Sequence, residues 1–464
     1  MDDQSKLPSR LMYVSEKNIV LSGVAVITYL VLEVFSGLYF LSCAGVALFV
    51  AVTIKFIRDI GHHIGIRDVI AFIATLQWII GPVMAYHLLP EHELYFMSVP
   101  EKTYMNYVVP GCLAFVAAMY LPLSRRNTIG QKALNTLEEF VQDRKSLGYT
   151  LIGAGIAFSF LARFVPGSLA FLFFLLSNMQ FAGLFIILFA DRTVNKWIVF
   201  AGVLGAMTLN SIALGMFHEL IIWYLFTFLI LAVILKLGHG IKILLFTAGL
   251  LALLLIQSIK QEYREKTWYS VSNKSNTEIF QEILLDRLIN PAKLFEPEVV
   301  SNAGARLNQG WIISRVMEHI PEKQSFAKGE TIKQAFYASI LPRFLAPGKA
   351  TAGGQDNFER FTGLQLRGGT SMNISIIGEA YGNYGIWGGM VFMLLLGLVY
   401  NLVLIVVVHL SNKNPTLILW VPLLFFQVIK AETDFAIVIN HLVKSAIMIW
   451  LVFWFSRRIL KVNM

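Results

Sequence analysis

The stretch YGIWGGMVFMLLLGLVYNLVLIVVVH, residues 384–409, decides the class of this protein because it contains no Asp, Glu, Lys or Arg. About 20 helical residues cross a bilayer, so this stretch is long enough to span one. Of all 464 residues 56% are apolar and only 14% are charged. We therefore predict an all-α polytopic membrane protein. The composition excludes a soluble enzyme with a single anchor, an outer-membrane barrel and a disordered chain.

Apolar runs on both sides of that stretch predict about twelve transmembrane helices. Their approximate bounds are 19–33, 36–54, 66–89, 104–123, 149–167, 169–190, 197–216, 219–236, 241–259, 384–409, 415–430 and 435–456. The predicted organisation is helices 1–9 in residues 1–259, one large helical extracytoplasmic loop at 260–383, and helices 10–12 in residues 384–464. We find no internal repeat, and a nine-to-three division disfavours a transporter built of two six-span halves.

The positive charges predict the orientation, because cytoplasmic loops carry the excess of Lys and Arg. With the N-terminus inside, the inner segments hold 19 Lys and Arg, and the short outer connections hold Lys102, Arg163 and Lys430. Both termini are then cytoplasmic, and the expected location is a bacterial inner membrane. Since topology accounts for much of the net charge of +9, we expect no nucleic-acid partner. Cys43 and Cys112 fall inside spans, so no disulfide framework is expected.

The first part of the large loop has helical patterns. Ser275 and Glu278 form a capping-box pattern ahead of a helix that ends at Asn290-Pro291. Further helices are expected over 307–320 and from Thr331 to Pro342.

The second part of the loop combines glycines with cations. Arg343, Lys349 and Arg367 recur among six glycines, and Arg306 precedes them in the chain. Glycines let backbone N–H groups approach an anion closely, and arginine binds phosphate as a two-pronged donor. These four residues are our candidates for binding a pyrophosphate. The alternative is a flexible, solvated loop with Arg306 at its surface.

Glu379 is the candidate catalytic residue, since it lies among glycines at the predicted membrane boundary. A buried carboxylate there could accept a proton from an acceptor hydroxyl, with Glu432 and Asp434 as alternative bases. The competing interpretation of Glu379 is a helix cap or an ion pair.

Several other ionisable residues fall in the outer half of the spans or in their outer turns, where charges are costly and often functional. The secondary candidates are Arg163, Lys430, Asp434 and His441, and His218 and Glu219 share the same side. For each one, a buried ion pair or a snorkelling side chain is the alternative.

The motifs of common hydrolases and metalloenzymes are absent. The sequence has no GxSxG, HExxH, CxxC or DxD pattern. We therefore expect no metal site and no cofactor, and the missing DxD favours a lipid-linked donor over a nucleotide sugar.

The topology and three stretches of residues 306–389 resemble Wzy-type polysaccharide polymerases and the related O-antigen ligases, which are membrane glycosyltransferases of the GT-C-like class. The stretches are Arg306–Gly310, Pro342–Lys349 and Gly378–Gly385. The resemblance implies metal-independent, inverting transfer of a glycan from undecaprenyl pyrophosphate to an incoming lipid-linked repeat unit. It implies that loop arginines hold the pyrophosphate, a role that maps onto Arg306, Arg343 and Arg367.

The expected partners are an undecaprenyl-pyrophosphate-linked oligosaccharide and the lipid bilayer, and a chain-length regulator is left open. Three other functions stay open as well. They are an O-antigen-type ligase, a flippase or other transporter of lipid-linked oligosaccharides, and a non-enzymatic assembly protein. The ligase fits less well, because the one loop histidine, His319, falls inside a predicted helix.

Overall fold

The computed structural model describes residues 7–89, 93–124, 128–191, 193–215, 217–269, 274–340, 354–366, 371–462 and 464. These residues form helices and no β-strand, with an isolated bridge between His63 and Gly130. The all-α class predicted from composition is confirmed.

Twenty α-helices lie in the described part of the chain. Before the large loop they are α1 Leu7–Phe35, α2 Phe40–Asp59, α3 Ile66–Thr75, α4 Gly81–His87, α5 Glu101–Tyr120, α6 Gln131–Val141, α7 Lys145–Leu161, α8 Gly167–Ser177, α9 Met179–Ala190, α10 Asn195–Leu214, α11 His218–Leu235 and α12 His239–Arg264. In and after the loop they are α13 Asn276–Ile289, α14 Pro297–Leu307, α15 Gly310–His319, α16 Glu330–Ile340, α17 Gln355–Thr362, α18 Ile376–Ser411, α19 Val421–Phe425 and α20 Phe435–Arg458.

Eight helical segments of the described chain are long and apolar enough to cross a membrane. They are Phe40–Asp59, Ile66–His87, Leu169–Ala190, Asn195–Ala213, His218–Leu235, Gly240–Thr267, Ile376–Ser411 and Phe435–Arg458. Three shorter apolar helices coincide with further predicted spans, at Ile19–Phe35, Lys145–Leu161 and Pro415–Phe425. The chain is thus a helical membrane protein by length and composition, and the count of twelve spans stays a prediction.

Small residues let these helices pack closely, as is usual in membrane bundles. A Cβ added to Gly183 of α9 would lie 2.5 Å from the carbonyl oxygen of Gly148 in α7. A Cβ added to Gly397 of α18 would lie 2.3 Å from the carbonyl oxygen of Phe115 in α5. Glycine is therefore required at both crossings.

The segment predicted to form the large loop contains the helices that its sequence predicts and two more. The capping box at Ser275 is present, with Glu278 bonding the Ser275 backbone N–H in return, and α13 ends at Ile289 as expected. The helices α15 and α16 correspond to the predicted second and third helices of the loop. The helices α14 and α17 were not predicted, since both are short and polar.

Helix α18 is kinked where the loop enters the bundle. Gly385 has a φ of +68°, which interrupts the helical backbone and which favours glycine. The turn of helix that carries Glu379 is therefore set at an angle to the long apolar stretch that follows.

Candidate cationic hollow

Seven ionisable side chains gather at the end of the bundle that the sequence predicts to be extracytoplasmic. We call the space that they line the cationic hollow. Its residues are His218, Glu219, Lys260, Arg264, Arg306, Lys430 and Glu432. Four separate pieces of the chain supply them: the start of α11, the end of α12, the last turn of α14 and the turn before α20.

Electrostatic interactions connect these residues across the hollow. Lys260 is close enough to Arg264 and Arg306 to be repelled by both, and Glu432 attracts it. Lys430 is attracted by Glu219 and Glu432. With four basic residues against two carboxylates, the hollow has an excess of positive charge before any histidine is protonated.

The hollow is open to water and is only partly shielded by protein. His218, Glu219 and Arg306 are solvent-exposed, while Lys260, Lys430 and Glu432 are half-buried. The hollow is thus a shallow recess at the surface of the bundle. Because the recess replaces part of the bulk water, charges in it interact more strongly than they would on an open surface.

Two of the hollow's residues also contact the surrounding structure. The guanidinium of Arg264 donates from Nε and Nη2 to the carbonyl oxygen of Gly215, over 3.3 and 3.2 Å. The Lys430 ammonium lies 4.7 Å from the ring centre of Phe426. The imidazole Nδ1 of His218 lies 3.6 Å from Oε1 of Glu432. These contacts orient the polar groups of the hollow.

The structure brings together five of the residues named from sequence, which are Arg306, Lys430, Glu432, His218 and Glu219. Arg306 is exposed at the end of α14 and interacts electrostatically with Lys260. The other three pyrophosphate candidates, Arg343, Lys349 and Arg367, lie outside the described residues.

Arg163 and His441 occupy different environments. Arg163 is exposed in the turn after α7. His441 is buried, with Nε2 placed 2.7 Å from the carbonyl oxygen of Leu423, and its ring packs against Phe171 and Phe426. Since Phe426 also contacts Lys430, His441 lies behind the hollow and not in it.

Glu379 is completely buried, and both of its carboxylate oxygens accept hydrogen bonds. Thr331 Oγ1 donates to Oε1 over 2.7 Å, and the backbone N–H of Phe435 donates to Oε2 over 2.8 Å. Phe435 is the first residue of α20, so Glu379 caps this helix and fastens it to α16 of the large loop. Its carboxylate faces these partners and not the cationic hollow.

Asp434 is buried beside Glu379 at the same helix start. Its Oδ1 accepts a hydrogen bond from the backbone N–H of Ile374 over 2.7 Å. Burial, together with the charge of Glu379, raises the pKa of Asp434 well above its usual range. Two buried carboxyl groups that repel each other in this way resist being ionised at the same time.

Lys260 and Arg264 are the functional candidates that the sequence analysis did not name. They follow the predicted end of the ninth span and are spaced four residues apart, so they lie on one face of a helix. That spacing was visible in the sequence. The sequence did not show which residues Lys260 and Arg264 would approach, because His218, Arg306 and Lys430 are far away along the chain.

A second polar cluster lies at the opposite end of the bundle, around a cavity of about 190 Å³. The Lys55 ammonium lies 2.7 Å from Asp59 and 2.6 Å from Asp68, and Tyr120 donates to Asp68 over 2.6 Å. The nitrogen of His63 lies 3.2 Å from Asp68.

Asp59, His63 and Asp68 are the group of described residues whose ligand atoms come close enough for a metal ion, within 4.8 Å of one another. Lys55 already places a positive charge between the two carboxylates, and Arg58 pairs with Asp59 as well. The cluster is therefore an ion-pair network in which the protein supplies its own cation.

Comparison with known proteins gives one match. Residues 98–462 match a family described as Domain of unknown function (DUF8712). The chain belongs to this family. No curated protein and no solved structure matches it. All seven residues of the cationic hollow lie within the part of the chain that the DUF8712 family covers, whereas Lys55, Asp59, His63 and Asp68 precede it.

Proposed function

We propose that this member of the DUF8712 family is a glycan polymerase of a bacterial inner membrane. It transfers a glycan from undecaprenyl pyrophosphate to an incoming lipid-linked repeat unit, with inversion and without a metal ion. Both termini are cytoplasmic, and the cationic hollow faces outward. The observation that carries the proposal is the convergence of Lys260, Arg264, Arg306 and Lys430 at one end of an apolar bundle.

The cations act on the leaving group. When the bond between the anomeric carbon and the pyrophosphate oxygen breaks, negative charge develops on the polyprenyl pyrophosphate. Preorganised cations in a partly desolvated recess stabilise that charge and lower the barrier. Lysine and arginine from several elements suit a diphosphate, because arginine binds two oxygens at once and lysine supplies a compact charge.

The base activates the acceptor hydroxyl. Among the three carboxylates that the sequence offers for this role, Glu432 lines the hollow, while Glu379 and Asp434 are enclosed at the start of α20. In the proposed reaction Glu432 takes the hydroxyl proton as the oxygen forms its bond to the anomeric carbon. His218, 3.6 Å from Glu432, orients the carboxylate. Glu379 positions α20 and thereby the turn that carries Glu432.

The test is polymer formation by the purified protein supplied with lipid-linked repeat units. We expect Arg306→Ala and Lys260→Ala to lower the rate by about 100-fold or more, the effect of removing a preorganised charge from a transition state. Glu432→Gln should lower the rate while leaving substrate binding intact. Lys274→Ala is the matched control, since Lys274 is an exposed cation of the same loop that pairs with Glu282.

Two further readouts separate this function from its rivals. Activity should persist in excess EDTA, and the new bond should have the anomeric configuration opposite to that of the donor. Transfer only to a lipid A core acceptor would identify a ligase. Passage of lipid-linked oligosaccharide across vesicles without new bonds would identify a flippase. Normal polymer from the Arg306→Ala and Lys260→Ala proteins would remove the hollow from the mechanism.

A further inference from the structure

Helix α12 has an unusual position for a membrane span, because its middle stands away from the bundle. In the apolar segment of this helix 6% of the residues are buried, compared with 50% in α11. Residues 247–252 are all exposed. Six consecutive residues of an α-helix point in every direction around its axis, at 100° per residue. At this level α12 therefore has open space on all sides, including the side facing the rest of the described chain.

The two ends of α12 are anchored. Towards one end the buried Lys242 lies 3.3 Å from both the carbonyl oxygen of Arg58 and Nδ1 of His62. The ring of Phe246 packs against Phe56 and Phe72.

At the other end Tyr263 donates to the carbonyl oxygen of Ile212 over 2.5 Å, and Arg264 donates to Gly215. A helix fixed at both ends and free in the middle borders a gap that opens sideways into the membrane. In a bilayer such a gap is filled by hydrocarbon, since the exposed residues 247–252 that border it carry no charge.

We propose that this gap holds the polyprenyl chain of the anionic lipid whose pyrophosphate binds in the cationic hollow. The inference rests on the proposed function and assigns the hydrophobic part of the same substrate. Its main support is continuity: α12 carries Lys260 and Arg264 at the end of the very segment that borders the gap. Gly249 and Lys260 are separated by about 16 Å along the helix axis, at 1.5 Å per residue.

The order of apolar and basic residues along α12 matches the order of the hydrocarbon chain and the charged head of an amphipathic lipid. An apolar segment comes first, then cations at the predicted outer membrane boundary, then the other basic residues of the hollow. A lipid held in this way contributes its hydrocarbon chain to the apolar segment and its diphosphate to the cations. Burial of each methylene against protein adds to the affinity, so a longer prenyl chain should bind more tightly.

The experiment compares undecaprenyl pyrophosphate with farnesyl pyrophosphate, binding to the purified full-length protein in nanodiscs of phosphatidylcholine. The decisive variant is Thr247→Trp combined with Gly249→Trp. Residues two apart in a helix point to nearly opposite sides, so the two indoles fill space on both sides of α12 at this level. A Cβ on Gly249 meets nothing within 4 Å, which means that the larger residue can be accommodated without unfolding the helix.

The matched control is Gly153→Trp combined with Ala157→Trp on α7, where both positions are exposed and a Cβ on Gly153 also meets nothing within 4 Å. We expect the wild type and the control to bind the undecaprenyl ligand about tenfold or more tightly than the farnesyl ligand. In the α12 variant this preference should disappear, while binding of farnesyl pyrophosphate is retained.

Three results would overturn the proposal, and they separate it from the proposed function. If the α12 variant keeps the full chain-length preference, or if wild type has none, the gap does not hold the prenyl chain. If farnesyl pyrophosphate binding is nevertheless lost in Lys260→Ala in either of those two cases, the cationic hollow stands without the gap. If neither prenyl pyrophosphate binds and only phosphatidylcholine occupies the gap, both the gap proposal and the hollow's assignment fail.

Discussion

At the scale of single residues, Glu379 illustrates how a buried carboxylate can stabilise a membrane protein by capping a helix. Replacing Glu379 with alanine leaves the Phe435 N–H and the Thr331 hydroxyl buried without their acceptor. We expect a loss of about 2 kcal/mol of stability, the usual cost of removing a charged hydrogen-bond partner from a buried site. The measurement is the apparent midpoint of thermal unfolding in detergent.

Glu282→Ala is the control for that measurement, because Glu282 forms an exposed ion pair with Lys274 and such pairs contribute little. An unfolding midpoint for Glu379→Ala equal to that of the control would contradict the capping role.

A second residue with a predictable effect is Asp191, in the turn between α9 and α10. The backbone N–H of Thr193, followed by Lys145 and the Thr193 hydroxyl, stabilises its carboxylate and lowers its pKa to about 2. Because the folded-state pKa lies below the ordinary value of 3.8, the stabilisation is present above pH 4 and is lost as the pH falls towards 2.

Unfolding midpoints measured from pH 6 to pH 2 should therefore fall less steeply for Asp191→Asn than for wild type. The variant should already be less stable at pH 6, since it lacks the ion pair with Lys145. If the unfolding midpoints of the two proteins fell equally steeply with pH, the ionisation of Asp191 would not contribute to the loss of stability in acid.

At the scale of elements, the crossing of α7 and α9 depends on contact between backbones. A Cβ on Gly148 would lie 2.8 Å from the side chain of Ile187 and 3.0 Å from the carbonyl oxygen of Gly183. Gly148→Leu should separate the two helices and lower both the yield of folded protein and its unfolding midpoint. An overpacked contact typically costs about 1–3 kcal/mol.

Gly153→Leu makes the same change on the same helix, where the added side chain meets open space. This variant should behave like wild type. If Gly148→Leu and Gly153→Leu gave equal yields and midpoints, the close approach of α7 and α9 would be wrong.

At the scale of the whole molecule, the positive charges predict which side faces the cytoplasm. Cys43 and Cys112 are buried, so they give little background in a cysteine-labelling experiment. A membrane-impermeant maleimide should label Lys274→Cys, in the predicted large loop, in intact cells whose inner membrane is closed and whose outer envelope admits the reagent. It should label Asn135→Cys, on the exposed face of α6, only after the inner membrane is opened. The reverse pattern would invert the topology and place the cationic hollow inside the cell.

Much of the fold follows from local rules. The stretch 384–409 becomes the long part of α18 because no charged residue interrupts it, and Ser275 starts α13 because its side chain caps the helix. Such features depend on neighbouring residues and on the cost of exposing backbone to lipid, so the sequence is sufficient to predict them. The helices α14 and α17 escaped prediction, since they have only 11 and 8 residues, too few for a periodic pattern to stand out.

The sequence by itself determined that this is a helical protein with apolar helices long enough to cross a membrane, and it placed Arg306 and Lys430 among the functional candidates. Only the tertiary structure decided that these two residues share a hollow with Lys260 and Arg264, and that Glu379 caps α20 away from it. The physical reason is the separation along the chain of the residues that interact. Helix formation and membrane insertion are set by residues within a few turns, whereas a site is assembled by packing between elements that lie far apart along the chain.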